Sequence, residues 1–502
     1  MEIELKLSLP PAAAARLARH PLLKGVKPDT RRLRSVYLDT LGGDLLHRGA
    51  ALRVRQAGRQ WLQTLKVATE SVGALSRRPE WEVPLTRGHH DLALFPADAQ
   101  ALMKRLARDG VDWATVAPAF VTDFRRKAWH LRQGESDLEL ALDMGEIQAG
   151  GRVEPLCEVE IELKSGDGLA LFDLALALLE TLPLGLEPRS KAARGYALAG
   201  ASQPAPVRAA PVSLAGLDAV QAWARLGEGG LAQGVANVPG FLACPQDIEY
   251  LHQLRVGLRR LHGMADLALH LGRPAPAWDE PLKTCMTALN AARDWDVLLH
   301  ETLPRVAGAL TPPLGRAFLG RLEKEAAQAR QDAQAVIAAP AFTRLVLEIG
   351  RDLQVTSASE PSSGLDTATW AADCLQARWV KVLKRGKGFA RLDALGRHKL
   401  RIAVKRMRYT ADTLSPVFRG GKGFGNALAH LQDSLGAGQD AVVALHLLSR
   451  LASRSEAVAF DAGRLSGLLA ADIQKGGDHG ARAWRALLKT RRCWALKAGK
   501  GD

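Results

Sequence analysis

Two hydrophobic rhythms divide the chain. In its first two hundred or so positions, short segments alternate with period two: 2–7 (EIELKL), 51–56 (ALRVRQ), 61–67 (WLQTLKV), 80–83 (EWEV), 138–143 (LELALD) and 157–163 (CEVEIEL). Period two means a β-strand with unlike faces. Helical patterns interrupt the strands at 10–20, 97–109 and 167–182. Later in the chain a 3.6-residue rhythm takes over, as in the stripe Leu251, Leu254, Leu258, Leu261. Between the two lies AGASQPAPVRAAPVS (199–213), which has neither period and reads as a linker. The pattern predicts a multidomain chain: an α+β domain over 1–200, a linker at 201–214 and an all-α domain over 215–502. A loop is expected at 355–367 (VTSASEPSSGLDT).

Composition adds a partner class. The 502 residues are 47% hydrophobic and 24% charged, as in folded protein, with a net charge of +15. Residues 1–200 carry 28 Lys and Arg against 26 Asp and Glu, and residues 201–502 carry the other 40 against 27. The basic part should seek a polyanion: nucleic acid, an anionic membrane or a phosphate polymer. Aromatics make up only 5%, which weighs against base stacking and a specific nucleic acid partner. No apolar run approaches the ~20 residues of a membrane span, so no membrane partner is expected. Five scattered Cys read as reduced thiols, and Met1 is followed by Glu2, Glu4 and Lys6 rather than by a leader, so a cytoplasmic location is expected. There is no P-loop, no H-E-x-x-H and no G-x-S-x-G. The sequence leaves the oligomeric state open.

The polar positions of the strands are mostly charged. Glu2, Glu4 and Lys6 share a face, as do Arg53 and Arg55; Glu80 and Glu82; Glu139 and Asp143; and Glu158, Glu160 and Glu162. Three carboxylates in one row repel unless a cation or facing basic groups compensate. A sheet closed into a barrel would supply those groups inside a lumen. That arrangement suits phosphoryl transfer: Arg and Lys clamp phosphate oxygens, and carboxylates hold Mg2+ or Mn2+.

With these residues in view, the chain resembles the CYTH, or triphosphate tunnel metalloenzyme, superfamily over about 1–200. The landmarks are E-x-E-x-K (Glu2, Glu4, Lys6), YLDT at 37–40, ALRVRQ at 51–56, TLK at 64–66, RPEWEV at 78–83, TDFRRKAW at 122–129, ELALDMGEI at 139–147, CEVEIEL at 157–163 and SKAARGYAL at 190–198. The resemblance implies an antiparallel β-barrel tunnel that binds a triphosphate with divalent metal. It implies phosphate contacts at Lys6, Arg53, Arg55, Lys66, Arg125 and Lys191, with Arg78, Glu80 and Lys127 also in the tunnel. Glu2, Glu4, Glu158, Glu160 and Glu162 would hold metal or the attacking water, with Glu139 and Asp143 beside them. Glu4, Lys66 and Glu160 are the expected catalytic residues, and Arg126 and Arg132 are expected to face outward.

The helical part contains a repeat. LHQLRVGLRRLHGM (251–264) matches RHKLRIAVKRMRYT (397–410) at an offset of 146 residues, and RDWDVLLH (293–300) matches QDAVVALH (439–446) at the same offset. In each copy four groups share a helical face: His252, Arg255, Arg259 and His262, then His398, Arg401, Lys405 and Arg408. H-x-L-R-V/I-x-x-x-R, ARDWDV (292–297) and LQDSLG (431–436) resemble the CHAD domain. That resemblance implies a helical bundle of two repeated halves that binds inorganic polyphosphate. The implied anion contacts are His252, Arg255, Arg259, Arg260, His398, Arg401, Lys405, Arg406 and Arg408. Asp294 and Asp440 are expected to cap helices or neutralise basic neighbours.

Together these imply a metal-dependent inorganic triphosphatase, associated with polyphosphate granules, that yields pyrophosphate and phosphate. Two alternatives stand beside it: a polyphosphate-binding scaffold with little turnover, and an enzyme acting on thiamine triphosphate or, as an adenylate cyclase, on ATP.

Overall fold

A computed structural model describes residues 2–67, 71–72, 75–201, 205–358, 364–414, 417–418, 421–452, 456–475 and 477–497. The chain divides into two compact units. The first comprises Met1–Arg208, Leu231–Cys244 and Ile337–Val355, and the second Ala209–Gly230, Pro245–Val336 and Thr356–Asp502.

The first unit is built on an antiparallel sheet of eleven strands among the described residues: β1 (Glu2–Ser8), β2 (Asp29–Asp39), β3 (Ala50–Ala57), β4 (Gln60–Val67), β5 (Ser71–Val72), β6 (Leu75–Arg78), β7 (Glu80–Leu85), β8 (Ala117–Gln133), β9 (Ser136–Ala149), β10 (Arg152–Ser165) and β11 (Gly185–Leu186). The order is β5-β6-β1-β10-β9-β8-β2-β3-β4-β7, with β11 on β1. Lys66 of β4 reaches Glu2 of β1, with Nζ to carboxylate oxygens at 2.8 and 2.9 Å. Those strands stand far apart in the sheet order, so the sheet rolls into a tunnel.

The alternation has an inside-out polarity. The odd residues Leu5 and Leu7 of β1, Val159 and Ile161 of β10 and Trp129 of β8 pack under Leu171, Phe172 and Leu178 of the helix Leu169–Leu179. Leu52 and Val54 of β3 and Leu65 of β4 pack under Met103 and Leu106 of the helix Ala97–Arg108. Each such side chain contributes about 1.5–3 kcal/mol by leaving water. The apolar face thus lies outside under helices, and the charged face lines the lumen.

Segment 337–355 joins this unit through the helix Pro340–Ala358. Leu347 enters the core beneath Phe172, Arg351 binds Asp173 at 2.6 Å and Arg344 binds Glu180 at 2.8 Å. Gly350 permits the approach, since a Cβ there would meet Phe172 at 2.7 Å.

The second unit is helical. The repeated segments form helices Ile248–Ala268 and Ala394–Leu414. The segments that lead into the two halves also lie side by side: Ala219 N–H donates to Leu365 O at 3.1 Å, and Thr367 Oγ1 donates to Leu217 O at 2.7 Å. Of the loop expected at 355–367, residues up to Ala358 are helical, helix resumes at Thr367, and 359–363 lie outside the described residues. No single helix among the described residues is long and apolar enough to cross a membrane.

Candidate functional site

Register decides which charges enter the tunnel. Across β1, β10, β9 and β8, the chain pairs Ser8 with Glu158, Glu158 with Asp143, and Asp143 with Arg126. A second row runs Glu4, Glu162, Glu139, His130. Directly opposed residues share a face. Glu2, Glu4, Lys6, Glu139, Asp143, Glu158, Glu160 and Glu162 therefore line the lumen as expected from alternation. Arg53, Arg55 and Lys66 face them from β3 and β4: Ser35 pairs with Arg55, and Thr64 pairs with both Arg53 and Glu82.

One expectation is corrected. Arg126, expected outside, faces the lumen from β8, whereas Arg125 and Lys127 lie on the opposite face. Arg126 forks onto Asp143, Nε–Oδ1 at 2.8 Å and Nη2–Oδ2 at 2.7 Å, and also binds Glu160. Arg125 is exposed and lies opposite Arg32 on β2. It shares its parity with Trp129, which the outer core holds, and that fixes the strand's orientation. Arg132 is exposed near the β8–β9 turn, as expected. Arg78 pairs with Glu2 through β6, but its side chain lies outside the described residues.

At one part of the lumen, charges are buried and paired. Asp143 and Glu158 are fully buried, and Glu160 nearly so. Lys191, on the helix Lys191–Ala199, reaches Asp143 at 2.7 Å, Glu160 at 2.9 Å and Glu158. Lys6 binds Glu160 at 2.7 Å and Glu4 at 3.2 Å. Burial alone would raise Glu160, but Lys191, Lys6 and Arg126 outweigh it and hold the carboxyl well below its ordinary range. Asp143 is likewise lowered by Arg126 and Lys191 against its burial. Oxygens of Asp143, Glu158 and Glu160 lie within 4.8 Å of one another.

Elsewhere the balance is unmet. Glu162 is raised by burial; Lys164 at 2.7 Å opposes this, and Glu2 and Glu139 add to it. Arg55 is pushed below its ordinary value by burial and by Arg53 and Arg126, while its Nε donates to Ser35 Oγ at 3.1 Å. Glu80 binds Lys66 at 3.0 Å and Arg53 at 3.5 Å.

Two tunnel residues were missed besides the parity of Arg126. Arg194 is buried and donates to Glu154 at 2.7 Å, Glu158 at 3.1 Å and Pro155 O at 2.8 Å. Its spacing of three from Lys191 on a helix could have found it. Tyr37 is buried, and Arg53 approaches its hydroxyl at 3.4 Å.

In the helical unit, the two basic stripes converge. Lys405 is lowered to about 8 by burial and by Arg259, Arg401 and Arg255. Arg255 is lowered by burial and Arg259 in turn. Nε of Arg255, Arg259 and Arg401 are buried without hydrogen-bond partners. His252 borders this group and is lowered by burial and Arg293. Of the remaining predicted contacts, Arg408 lies 3.7 Å from Asp412, Arg260 is lowered by burial with Asp412 opposing, and Arg406 and His398 are exposed. His262 instead binds Asp279 at 2.7 Å. Asp294 and Asp440, which are repeat-related, are both raised by burial amid these cations.

Comparison with known proteins gives two family matches: the CYTH domain over residues 1–196 and the CHAD domain over 226–449. An inorganic triphosphatase of Haemophilus influenzae is 34% identical over 203 residues, covering 39% of this chain and 54% of that protein. The chain thus matches about half the length of this curated relative. A CHAD domain structure from the plant Ricinus communis is 31% identical, covers 57% of this chain and 98% of its own, and has a TM-score of 0.49. A Hippeastrum protein described as an adenylyl cyclase with a dominant triphosphatase activity is 23% identical, covers 39% and 96%, and has a TM-score of 0.28.

Proposed function

Residues 1–196 of this chain belong to the CYTH family and residues 226–449 form a CHAD domain, and from that premise we propose a metal-dependent inorganic triphosphatase whose helical part binds inorganic polyphosphate. The observation that carries the enzyme reading is Arg55, half-buried beside the like charges of Arg53 and Arg126. Cations that repel one another in a buried lumen gain most from a polyanion. A linear triphosphate carries the matching charge, and the guanidiniums can fork onto its oxygens. Lys6 and Lys66 add point charges.

Oxygen-only donors suit a hard cation such as Mg2+ or Mn2+. The convergence of Asp143, Glu158 and Glu160 fits such an ion, and Glu2, Glu4, Glu139 and Glu162 line the same face. Bound there, the ion would neutralise phosphate charge and polarise the phosphoryl group. The side chains do the rest. Arg53, Arg55, Arg126 and Lys66 hold the substrate, and a water adds to its terminal phosphorus. The bond to the bridging oxygen breaks, pyrophosphate leaves, and the water's proton passes to a carboxyl group. Glu160 is a poor acceptor because three cations hold it ionised. Glu162, with its raised proton affinity, is the better one. Glu4, beside Lys6, orients water or ion.

The full chain, supplied with triphosphate and Mg2+ or Mn2+, should release phosphate and pyrophosphate in equal amounts. Arg55→Ala should lower kcat/KM by roughly a hundredfold, the scale of losing one preorganised charge contact. Phosphate release no greater than that of a Lys66→Ala control would overturn the enzyme reading in favour of an anion-binding scaffold. Faster turnover of thiamine triphosphate or ATP would move the substrate to an organic triphosphate.

For the helical part, the supporting observation is the pair of repeat-related, unpartnered Nε donors of Arg255 and Arg401. A phosphate chain supplies acceptors at short, regular spacing without requiring base readout. Direct titration with long-chain polyphosphate tests this; absence of binding by the full chain would sink it. Association with cytoplasmic polyphosphate granules follows as part of the same proposal.

A further inference from the structure

The two basic stripes meet over a single aromatic ring. The Arg259 guanidinium carbon lies 5.4 Å from the ring centroid of Tyr409, and the Lys405 ammonium lies 6.0 Å from it. Arg259 and Lys405 are equivalent positions of the two repeats, 146 residues apart. Tyr409 itself has no equivalent: the same offset leads to Gly263, where an added Cβ would meet open space. One half-buried ring therefore serves a cation from each half of a duplicated structure. Like charges brought this close repel, and the negative face of an aromatic ring is a counterweight that leaves their donors available to a ligand. A carboxylate in that place would consume those donors.

We propose that Tyr409 is a positioning residue of the anion groove: its ring holds Arg259 and Lys405 side by side, so that the two repeats grip neighbouring phosphates of one chain. This rests on the polyphosphate reading of the same groove. It makes the groove a joint site of both halves rather than two copies of a weak one. The ring, not the hydroxyl, carries the effect, so phenylalanine should replace tyrosine.

The test uses the full chain, titrated with long-chain inorganic polyphosphate. Tyr409→Leu should raise Kd roughly tenfold, the scale of losing two cation–ring contacts, while Tyr409→Phe stays within about twofold of wild type. A second readout does not depend on the leucine variant folding. With 3-fluorotyrosine incorporated, the resonance that disappears in Tyr409→Phe should shift when polyphosphate is added. A purely structural ring would keep its position. Wild-type affinity in a folded Tyr409→Leu, equal losses in both variants, or an unmoved Tyr409 resonance would each overturn the proposal while polyphosphate binding stood. Absence of binding by the wild-type chain would instead remove the reading beneath it.

Discussion

Arg126 shows how much hangs on one residue's parity. It is four-fifths shielded from solvent and divides its guanidinium between Asp143 and Glu160. Arg125, its neighbour, faces out. Breaking a buried pair leaves an uncompensated charge, which costs about 3–5 kcal/mol. Arg126→Ala should therefore lower the melting temperature and triphosphate turnover together, whereas Arg125→Ala should leave both near wild type. Thermal unfolding and phosphate release measure the two, and the reverse pattern would place the wrong arginine in the tunnel. In TDFRRKAW, alternation says that Arg126 and Arg125 face opposite ways but not which faces in. Trp129 settles it only once a helix is known to cover that side. For 2–7 of β1 and 158–163 of β10 the same ambiguity never arose, because charged and apolar residues alternate there without a break.

At the scale of elements, the helix Lys191–Ala199 closes on the sheet through Gly195, where a Cβ would meet Phe120 at 2.1 Å. A ring in a packed core cannot yield that far without a shift. Gly195→Ala should push the helix outward and carry Lys191 away from Asp143, Glu158 and Glu160. Turnover should fall, and unfolding should move to lower temperature. The paired basic helices give a different expectation. Lys405, lowered to about 8 by burial and neighbouring cations, is protonated below that pH and increasingly neutral above it. A bound polyanion favours the charged form, so binding takes up a proton, and affinity should weaken as pH rises through 8. Lys405→Arg stays charged and should flatten the profile. Strands of strict alternation and the duplicated helices were legible in the sequence. The long β2 and β8 were not read from periodicity, because charged and apolar residues there break the period-two pattern, as in DTRRLRS and TDFRRKAW.

The whole molecule assigns its charge in two ways. In the tunnel, opposite charges oppose one another across a lumen and nearly cancel. In the helical unit, like charges converge. Sequence made that contrast visible as a neutral and a basic part. It could not show that residues 337–355 complete the first unit's core, because a 3.6-residue period reveals an apolar face but not what covers it. The contrast makes the two activities separable by charge alone. Arg255→Glu with Arg401→Glu inverts the repeat-related pair without touching any tunnel residue. Each exchange replaces a cation by an anion inside the cluster that also holds Arg259 and Lys405. Polyphosphate affinity should therefore fall by more than the loss of two contacts, and its dependence on salt should shallow. Triphosphate hydrolysis by the same purified double variant should stay within about twofold of wild type. On the proposed association with polyphosphate granules, the variant should leave them in cells. If it stays on granules after losing polyphosphate affinity in solution, another surface of the chain must hold it there.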